Sequence, residues 1–367
     1  MRISRIELRR FAIPFRNAFV HAAASRRQSD VILVCVHFDG GPIGFGEVQA
    51  RPYVTGESND DIWSSAAPAL ATGLVGRELE GFAEVQDVLG GAGAYARAPA
   101  CTGGFDIAIT DALDVAGSLD WSEVFGPPRV RPIERSSTIG SDISLVDIRR
   151  RGRFARLSGC AVVKLKVTGP DDVARCRELR GAVGGEVRIR LDANGRLGLD
   201  DALHLLRATT DLEIESIEEP LDPSVPGYID ALRHLHQETG VPIVADESAC
   251  TVEDVERFAG TGAFQVVNVR AGKCGGVTGT ARFLHRAVDL GFAIVSGTMV
   301  GESAVLLRVS EALLHHCDEL GYVEGLGQDT SLLVSPVVRA DSSAPNRHFS
   351  WTRDGYERYL VSQVAYP

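Results

Sequence analysis

The sequence lacks the patterns that mark several common classes of protein. Its seven cysteines are odd in number and contain no Cys-x-x-Cys pair, so a disulfide framework is not expected. No apolar run approaches the ~20 residues that a membrane-spanning helix needs. The chain starts MRISRIELRR, without the apolar core of a signal peptide, and we therefore expect reduced thiols, a cytoplasmic location and no membrane partner.

Histidine clusters and excess positive charge are also missing. The nine histidines are scattered: His234 and His236 are two residues apart and His315 and His316 are adjacent, and neither spacing is typical of a helical zinc site. This counts against a zinc hydrolase. Lysine and arginine together number 38 against 49 for aspartate and glutamate, and the resulting net charge of −11 argues against a nucleic-acid partner.

At 367 residues the chain is expected to contain two domains. The first part opens with an antiparallel meander of three strands, from RISRIELRRFAI to PIGFGEVQ, and continues with helical patterns. The polar segment FRNAFVHAAASRRQSD between the first two strands is predicted to be a loop. Residues 1–126 are thus predicted to form an α+β module, which the Pro127-Pro128 pair separates from the rest.

After this boundary, strand-like and helical runs alternate. Eight short strands with short connections favour a closed parallel barrel, and no Gly-x-Gly-x-x-Gly follows a first strand, which counts against a dinucleotide-binding sheet. Residues 127–325 are predicted to form the catalytic barrel, and residues 326–367, which contain no barrel strand, to pack back on the N-terminal module. The strand-like runs are RSSTIG (135–140), AVVKLKV (161–167), VRIRLDAN (187–194), IESIEEP (214–220), PIVADES (242–248), FQVVNVR (264–270), FAIVSGT (292–298) and GYVEG (321–325).

Three acidic residues, Asp192, Glu218 and Asp246, stand at the ends of three successive strand-like runs. The intervals of 26 and 28 residues each correspond to one strand–helix unit, so the three carboxylates are expected to meet on the rim where parallel barrels place their active sites. A single acid at a strand end has ordinary explanations, such as a helix N-cap or a surface carboxylate. Three at the same relative position indicate a site for a hard divalent cation such as Mg²⁺.

Polar neighbours extend this pattern. Glu219 directly follows Glu218, and Glu247 directly follows Asp246. Because side chains alternate along a strand, only one acid of each pair is expected to face the barrel axis. Asn194 lies two residues beyond Asp192, so it can face the same way and supply a neutral oxygen.

One unit before the acids, Lys164 and Lys166 interrupt the apolar strand VVKLKV and face the same side. A central barrel strand has no solvated edge, so both should point inward, where each needs an anionic partner or a lowered pKa. A second lysine and a divalent cation nearby shift a lysine toward its neutral form. Lys166, nearer the strand end, is therefore the candidate base that removes a proton next to a substrate carboxylate, and Lys164 would tune it electrostatically.

The Lys-x-Lys, Asp-x-Asn, Glu-x-Pro and Asp-Glu-Ser patterns, in this order and spacing, resemble the enolase superfamily in its muconate-lactonizing and mandelate-racemase-like branch. The resemblance covers nearly the whole chain. It implies an α/β fold with a modified (β/α)7β barrel of the TIM type, capped by an α+β domain that the N-terminal region and the C-terminal tail form together. It further implies Lys166 as the base and Asp192, Glu218 and Asp246 as Mg²⁺ ligands. The implied reaction removes the proton α to a carboxylate and gives a metal-stabilised enediolate.

One position departs from the family pattern. The resemblance implies a second lysine after Asn-Ile or Asn-Val at the end of the sixth strand, facing the first lysines across the substrate. Here the run is NVRAGKCGG, and Arg270 takes that place. Arginine is almost always protonated and cannot readily act as a base, so Arg270 would bind a carboxylate or cover the enediolate face electrostatically. Lys273, the nearest lysine, is assigned to substrate binding.

Other residues are expected to line the substrate pocket. At strand ends these are Asn194, Thr298, Met299 and Glu324. The resemblance implies mobile loops that close over the substrate, and these carry Arg26, Arg27, Arg51 and Tyr53. Glu302 is interpreted instead as an acid at a helix N-terminus that interacts with the helix dipole. Cys274 is interpreted as a packing residue because no histidine partner is evident.

The resulting prediction is a Mg²⁺-dependent isomerase or lyase that acts on a small carboxylate and is similar to muconate cycloisomerase. Because Arg270 weakens the case for two bases, cycloisomerisation or β-elimination by a dehydratase becomes more plausible. A dipeptide or amino-acid epimerase and a catalytically impaired relative that binds a ligand remain as alternatives. Barrels of this type often associate, so a homo-oligomer is expected.

Overall fold

The structure, a computed structural model, describes residues 1–21, 24–340 and 349–367. It contains an antiparallel sheet with helices, which we call the cap, and an eight-stranded parallel sheet wound into a barrel. The predicted α/β class, with a TIM-type barrel and a cap to which both ends of the chain contribute, is confirmed. No helix in these ranges is both long and apolar enough to cross a membrane.

The cap sheet is antiparallel and has the strand order β14–β1–β2–β3. Its strands are β1 Ile3–His21, β2 Ala24–Phe38, β3 Ile43–Val48 and β14 Leu360–Tyr366. Along β1, Ile6 and Leu8 point into the core of the cap, whereas Phe11 and Ile13, of opposite parity, point into the core shared with the barrel. Both faces of this strand are therefore covered by apolar side chains.

The segment predicted to be a polar loop between the first two strands is instead part of a long hairpin. Strand β1 continues to His21 and β2 begins at Ala24, with the backbone of Phe19 paired to that of Arg26. The loop prediction was wrong because antiparallel pairing is made by the backbone, and polar side chains do not prevent it. Residues 22–23 at the tip lie outside the described residues, so the predicted mobile loop at FVHAAASRRQ is only partly described.

The main helix of the cap is held against β3 by close backbone contact. Gly44 and Gly46 of β3 face helix α5 (Pro99–Val115), and a Cβ atom at either position would lie 1.8 Å from a carbonyl oxygen of that helix, those of Ala108 and Gly104 respectively. Only glycine permits this approach. The helix is almost completely buried between the cap sheet and the barrel.

The eight barrel strands pair in parallel in chain order. The barrel closes where the backbone N–H of Glu134 donates to the carbonyl of Gly321 at 2.9 Å. Each strand lies within one of the predicted runs or overlaps it, and the predicted boundaries at 126 and 325 fall outside the first and last strands. The strands are β4 Arg135–Ile139, β5 Cys160–Lys166, β6 Arg188–Asp192, β7 Ile214–Glu218, β8 Ile243–Ala245, β9 Val266–Val269, β10 Ala293–Gly297 and β11 Val323–Glu324.

Helices cover the cap sheet and the outside of the barrel. They are α1 Asn59–Asp61, α2 Ala67–Leu74, α3 Val85–Val88, α4 Ala92–Arg97, α5, α6 Trp121–Phe125, α7 Leu145–Leu157, α8 Val173–Val183, α9 Leu199–Ala208, α10 Tyr228–Thr239, α11 Val252–Phe258, α12 Ala271–Cys274, α13 Gly276–Asp289, α14 Ala304–His316, α15 Gln328–Ser331 and α16 Arg353–Tyr359. A π-helical turn spans Ile62–Ala66, and 3-10 turns span Phe82–Glu84, Pro170–Asp172 and Thr210–Leu212.

The C-terminal tail returns to the cap, as predicted. Strands β12 (Val338–Ala340) and β13 (Phe349–Trp351) pair with each other, and β14 pairs with β1. The ring of Trp351 lies 5.8 Å from that of Phe11 and 5.1 Å from that of Tyr356, which fixes the tail on the face of the sheet by aromatic packing.

Two buried carboxylates of the cap accept hydrogen bonds from the N-termini of barrel helices. Glu47 accepts from the backbone N–H of Ser303 at 3.0 Å and of Leu306 at 3.2 Å, at the start of α14. Asp106 accepts from the N–H of Val277 at 2.6 Å, at the start of α13. Burial raises the pKa of Glu47 to about 7 and that of Asp106 to about 6. These contacts seat the cap above the carboxyl ends of the barrel strands.

Candidate functional site

The barrel register places the predicted site residues in two layers. Lys166, Asp192 and Glu218 are the last residues of β5, β6 and β7, and each pairs with the next across the sheet. They form the upper layer, at the carboxyl rim. Lys164 pairs with Arg190 one pleat below and forms the lower layer. Because alternate residues of a strand share a face, both layers point the same way.

Lys166 lies at the rim between two oxygen acceptors. Its ammonium group donates to Asp192 Oδ2 at 2.9 Å and to Asn194 Oδ1 at 2.5 Å. The backbone of Asn194 has φ of 45°, a conformation that asparagine adopts more readily than most residues, and this turns its amide toward the rim. The predicted alignment of Asn194 with the site is thus present.

The lower layer is an ion cluster inside the barrel. Lys164 Nζ lies 2.5 Å from Glu324 Oε2 and 3.3 Å from Glu218 Oε1. Arg190 donates to Glu218 Oε2 at 2.8 Å and to Glu324 Oε1 at 2.9 Å, and it also bonds to the hydroxyl group of Tyr322 at 2.9 Å. Burial would lower the pKa of Lys164, but Glu218 and Glu324 outweigh it and hold that pKa above the usual value. Lys164 therefore acts as a fixed positive charge below Lys166.

Asp246 lies just beyond the end of β8 and is held by two cations. The guanidinium group of Arg270 contacts Asp246 Oδ2 and also approaches Glu218 Oε1 at 3.4 Å. The ammonium group of Lys273 donates to Asp246 Oδ1 at 3.0 Å, to the carbonyl of Ala249 at 2.9 Å and to the carbonyl of Asp246 itself. Glu218 and Asp246 are thus linked through Arg270.

Lys273 has a different position from the one that its assignment to substrate binding requires. Its side chain is 0% exposed, and its ammonium group, which has three N–H donors, donates to three protein oxygens. No donor is left for a substrate. The geometry favours a role in holding the turn that carries Asp246.

Glu219 holds the same turn from the other side. Its Oε1 accepts from the backbone N–H of Asp246 at 2.6 Å and from the backbone N–H and hydroxyl group of Ser248 at 2.9 and 2.6 Å. Its φ of 40° turns it away from Glu218, which faces the barrel interior, as the alternation predicts. Glu247 departs from that rule: its Oε1 accepts from Asn194 at 3.3 Å, because β8 ends before Asp246 and the strand pleat no longer applies.

The pKa values of the three acids follow from these neighbours. Burial would raise the pKa of Asp192 and of Asp246, but Lys166 and Lys164 lower the first, and Arg270 and Lys273 the second, so both lie below the usual range. The pKa of Glu218 lies above its usual range, because burial and repulsion from the other two acids outweigh the attraction of Lys164. A divalent cation would relieve this repulsion.

The donor set fits a hard divalent cation in its chemistry, but the acids are not preassembled. Among residues 1–21, 24–340 and 349–367, no three acidic, histidine or cysteine side chains are arranged to hold a metal ion. The expectation that the three carboxylates meet directly was wrong, because cationic side chains lie among them. Lys166 contacts Asp192, and Arg270 lies between Glu218 and Asp246. A cation bound there would compete with the contact between Arg270 and Asp246.

Residues on the loop after β10 border the site. Arg270 Nη1 lies 3.9 Å from the sulfur of Met299, and Thr298 donates to the carbonyl of Glu324 at 3.0 Å. Gln328, which the sequence did not suggest, donates to Thr298 Oγ1 at 2.8 Å and so ties this loop to the tail. The Oε1 of Glu302 accepts from the N–H of Met299 at 2.6 Å rather than from helix α14, whose N-terminus is taken by Glu47.

The cap residues differ in exposure. Arg51, expected on an exposed loop, is buried and donates to the carbonyl of Val300 at 3.0 Å, whereas Tyr53 is 40% exposed and Arg27 is also exposed. Arg26 is half-buried and lies near enough to Arg51 for the two guanidinium groups to repel each other. Cys274 is buried and its burial raises the pKa of its thiol, in agreement with a packing role.

Sequence reasoning missed three further features of the site. Arg190 shares a face with Asp192 in VRIRLD, and the alternation could have revealed it. Asn268, also inward, donates to Glu218 Oε1 at 3.4 Å. The composition carried the clearest signal: the chain has only three lysines among its 38 lysine and arginine residues, and all three lie in this cluster. All of the remaining lysine and arginine positions hold arginine. The restriction of lysine to this cluster indicates that these three positions require an ammonium group.

Comparison with known proteins identifies the family. Residues 147–343, more than half of the chain, match the family model described as Enolase C-terminal domain-like. The chain belongs to the enolase superfamily. It falls in the mandelate racemase and muconate-lactonizing branch, which agrees with the resemblance of its motifs.

Curated relatives are similar over most of their length. The L-Ala-D/L-Glu epimerase of Bacillus subtilis is 27% identical over 316 residues, 82% of this chain and 81% of the relative. The o-succinylbenzoate synthase of Thermobifida fusca is 30% identical over 230 residues, 58% of this chain and 70% of the relative. A crystal structure of a dipeptide epimerase from Cytophaga hutchinsonii, complexed with Mg and the dipeptide D-Ala-L-Val, superposes with a TM-score of 0.83 over 100% of both chains at 21% identity. This superfamily enzyme therefore shares its whole architecture with that epimerase.

Proposed function

We propose that the chain is a Mg²⁺-dependent enzyme that removes the proton α to the carboxylate of a small substrate, with Lys166 as the base. The position of Lys166 carries the proposal. It is the most exposed of the three lysines, at 8% against 5% for Lys164 and 0% for Lys273, and its ammonium group lies on the rim where barrel enzymes bind substrates. Hydrogen bonds to Asp192 and Asn194 hold its nitrogen in place.

Asp192, Glu218 and Asp246 would hold the Mg²⁺ ion, which when bound supplies positive charge against the substrate carboxylate and makes the α-proton easier to remove. The Mg complex of the structurally similar Cytophaga hutchinsonii epimerase supports this choice of ion. Lys164 and Arg190 below the rim hold Glu218 in place through ion pairs at 3.3 and 2.8 Å. Lys273 and Glu219 hold the turn that presents Asp246.

Arg270 favours a reaction with one base. Strands β5 and β9 lie four positions apart in a closed sheet of eight, so Lys166 and the residue after β9 are on opposite sides of the rim. Burial would lower the pKa of Arg270, but Asp246 and Glu218 outweigh it, and the guanidinium group stays protonated. It can bind an anionic group of the substrate but cannot accept a proton. We therefore favour a muconate-cycloisomerase-like isomerase or a lyase, such as a dehydratase.

Epimerisation is the second candidate. The similarity to the L-Ala-D/L-Glu epimerase over 82% of this chain supports it, and so does the dipeptide in the structural relative. It needs a proton source on the face opposite Lys166, which Arg270 supplies poorly. A single base that both removes and returns the proton would exchange the α-hydrogen and retain the configuration. The similarity to an o-succinylbenzoate synthase supports chemistry other than epimerisation.

The test is α-proton exchange in D₂O with Mg²⁺, followed by proton NMR. N-acylamino acids, dipeptides, muconates and hydroxy acids serve as substrates, and the Lys166→Ala variant is compared with wild type. Loss of exchange in the variant, by at least about 10³-fold, is expected for a base. The Arg207→Met variant, which removes a surface ion pair with Glu238, serves as the control and should retain full exchange.

The products separate the candidates. Deuterated substrate of retained configuration indicates one-base exchange, inversion indicates an epimerase, and an alkene or lactone indicates a lyase or cycloisomerase. Exchange that persists in Lys166→Ala would contradict the assignment of the base. Binding of Mg²⁺ and carboxylates without exchange would support the impaired, ligand-binding alternative.

Homo-oligomeric assembly and the cytoplasmic location stay predictions. Light scattering of the purified protein tests the oligomeric state.

A further inference from the structure

Helix α7 exposes an unusual mixture of arginine and large apolar side chains. Five of its 13 residues are arginines, against a single acid, Asp147, in a chain whose net charge is −11. Val146 is 68% exposed, Phe154 71% and Leu157 87%. None of these three contributes to the contact between the helix and the rest of the barrel, which is made by the buried residues Ile148, Gly152 and Ala155.

The exposed apolar residues share one face of the helix with two of the arginines. Val146, Arg150, Arg153 and Leu157 follow one another at intervals of four, three and four residues, and positions so spaced lie on one side of a helix. Phe154 comes four residues after Arg150 and three before Leu157, so it adjoins both. We call these five residues the α7 face.

The positive charge of the helix is largely uncompensated. Arg149 pairs with Glu178 at 2.5 Å, and no other arginine of α7 forms an ion pair with a described residue. Single exposed apolar residues are ordinary, but a cluster of them marks a surface that binds a partner. The charge calls for a partner that is both apolar and acidic. A second α7 face does not meet this need, because the arginines of the two helices would repel each other.

The chain itself contains an acidic, apolar surface of this kind. A depression of about 370 Å³ lies at the C-terminal ends of helices α13 and α14, and the Pro127-Pro128 pair and Val288 are among its apolar residues. Three acids also line it: Asp289, Asp318 and Glu319. Within residues 1–21, 24–340 and 349–367 none of the three forms an ion pair; Asp318 accepts from the backbone N–H of Val130 and Glu319 from the thiol of Cys317. We call this surface the α13–α14 depression.

Both surfaces lie at the end of the barrel away from the site. Helix α7 ends at Leu157, shortly before β5 begins at Cys160, and helix α13 ends at Asp289, shortly before β10 begins at Ala293. The C-terminal ends of these helices therefore lie near the amino ends of the barrel strands. Contacts made there would leave the carboxyl rim open to substrate.

We propose that copies of this chain associate by placing the α7 face of one copy in the α13–α14 depression of another. The exposed phenylalanine and leucine enter the apolar hollow, and the arginines meet the acids around it. Because the two surfaces lie at different places on the chain, two such contacts related by a two-fold axis close a dimer, and successive single contacts close a ring. The inference goes beyond the proposed function, and it specifies the surfaces of the homo-oligomer expected from the sequence.

The first experiment measures association of the full chain by sedimentation velocity and light scattering over a dilution series. Phe154→Glu replaces an apolar contact by a charge that the acids repel, and it should weaken association by at least about 10-fold. Association of wild type should also weaken as salt rises from about 0.05 to about 0.5 M, because salt screens exposed charge pairs.

A charge-reversal pair tests whether these two surfaces meet each other. One variant carries Arg150→Glu and Arg153→Glu, and the other carries Asp289→Arg and Glu319→Arg. Alone, each presents like charges on both surfaces and should not self-associate. In an equimolar mixture, every α7 face meets a depression of opposite charge, so the mixture should recover the molecular mass of the wild-type oligomer. Circular dichroism of each variant establishes that it is folded.

The control is Val361→Glu, which places a charge on another exposed apolar position, 60% exposed on the cap strand β14. It should associate as wild type does. A wild type that is monomeric throughout the series, or an oligomer that Phe154→Glu leaves intact, would overturn the inference. So would dissociation by Val361→Glu alone, or a mixture of the two reversed variants that stays monomeric. Binding of a monomeric wild type to phosphatidylglycerol vesicles would assign the α7 face to a membrane surface and overturn it as well.

Discussion

Replacing Lys273 by methionine should destabilise the protein far more than the loss of an ordinary lysine. The side chain is completely buried, and its ammonium group donates to Asp246 Oδ1, to the carbonyl of Asp246 and to the carbonyl of Ala249. Methionine has a similar length but no donor, so the variant leaves a buried carboxylate and two carbonyls with fewer partners. Breaking a buried ion pair costs about 3–5 kcal/mol, and an unsatisfied carbonyl about 1–3 kcal/mol.

These contributions are not additive, because Arg270 still contacts Asp246 and water can enter the turn. We therefore expect a loss of about 4 kcal/mol in the free energy of unfolding, a large part of a typical stability of about 5–15 kcal/mol. Urea unfolding at pH 7 in EDTA, followed by circular dichroism, measures it. Because a residue that orients a metal ligand typically contributes about 10–100-fold in affinity, Mg²⁺ binding by calorimetry should weaken by a similar factor.

The control for this prediction is Arg207→Met. That arginine forms a surface pair with Glu238 at 2.5 Å, with both side chains about half exposed, and such pairs contribute about 0–1 kcal/mol. If Lys273→Met lost less than about 1 kcal/mol, or no more than Arg207→Met, the reasoning that the ammonium group holds the Asp246 turn would be refuted.

Three other predictions follow from the structure. Arg270→Lys should place a group that can act as a base opposite Lys166 and allow inversion at the α-carbon, which NMR with a single enantiomer in D₂O would detect; unchanged stereochemistry would argue against the one-base explanation. Because burial raises the pKa of Glu47 from 4.5 to about 7, the folded protein binds this proton more tightly than the unfolded chain, and stability should fall as pH rises through that window. The shift corresponds to at most about 3.4 kcal/mol, and Glu47→Gln should flatten that part of the urea-unfolding profile. Gly46→Ala should cost at least about 2 kcal/mol, because the new Cβ would lie 1.8 Å from the carbonyl oxygen of Gly104; a thermal transition within a degree of wild type would contradict this close contact.

The layout of the site was predictable from short-range regularities. Alternation with period two placed Lys164 and Lys166 on one face, and the similar lengths of the strand–helix units placed Asp192 and Glu218 side by side, as the strand register has them. Glu218 faces inward, as the same alternation predicts, and Glu219 turns away through its φ of 40° just beyond the strand. These inferences held because strand geometry repeats identically along the chain.

Predictions failed where the strand pattern ends. The turn after β8 brings Glu247 to Asn194 although alternation sends it away, and the polar segment before β2 pairs through its backbone. Lys273 resembled a pocket residue by its position after a strand, but helix α12 turns it into the interior. Local sequence contains little information about the conformation of such turns, because it depends on partners far along the chain.

The sequence by itself determined the strand–helix alternation, the barrel with its cap, and the rim on which the acids and lysines lie, because these follow from periodicity and spacing. It also contained the restriction of lysine to three positions. Only the tertiary structure decided which cation contacts which carboxylate, that Arg270 lies between Glu218 and Asp246, and that Arg51 is buried. Those contacts join residues on different strands and loops, and their distances depend on the curvature of the closed sheet and on how the cap is seated, which no stretch of sequence specifies alone.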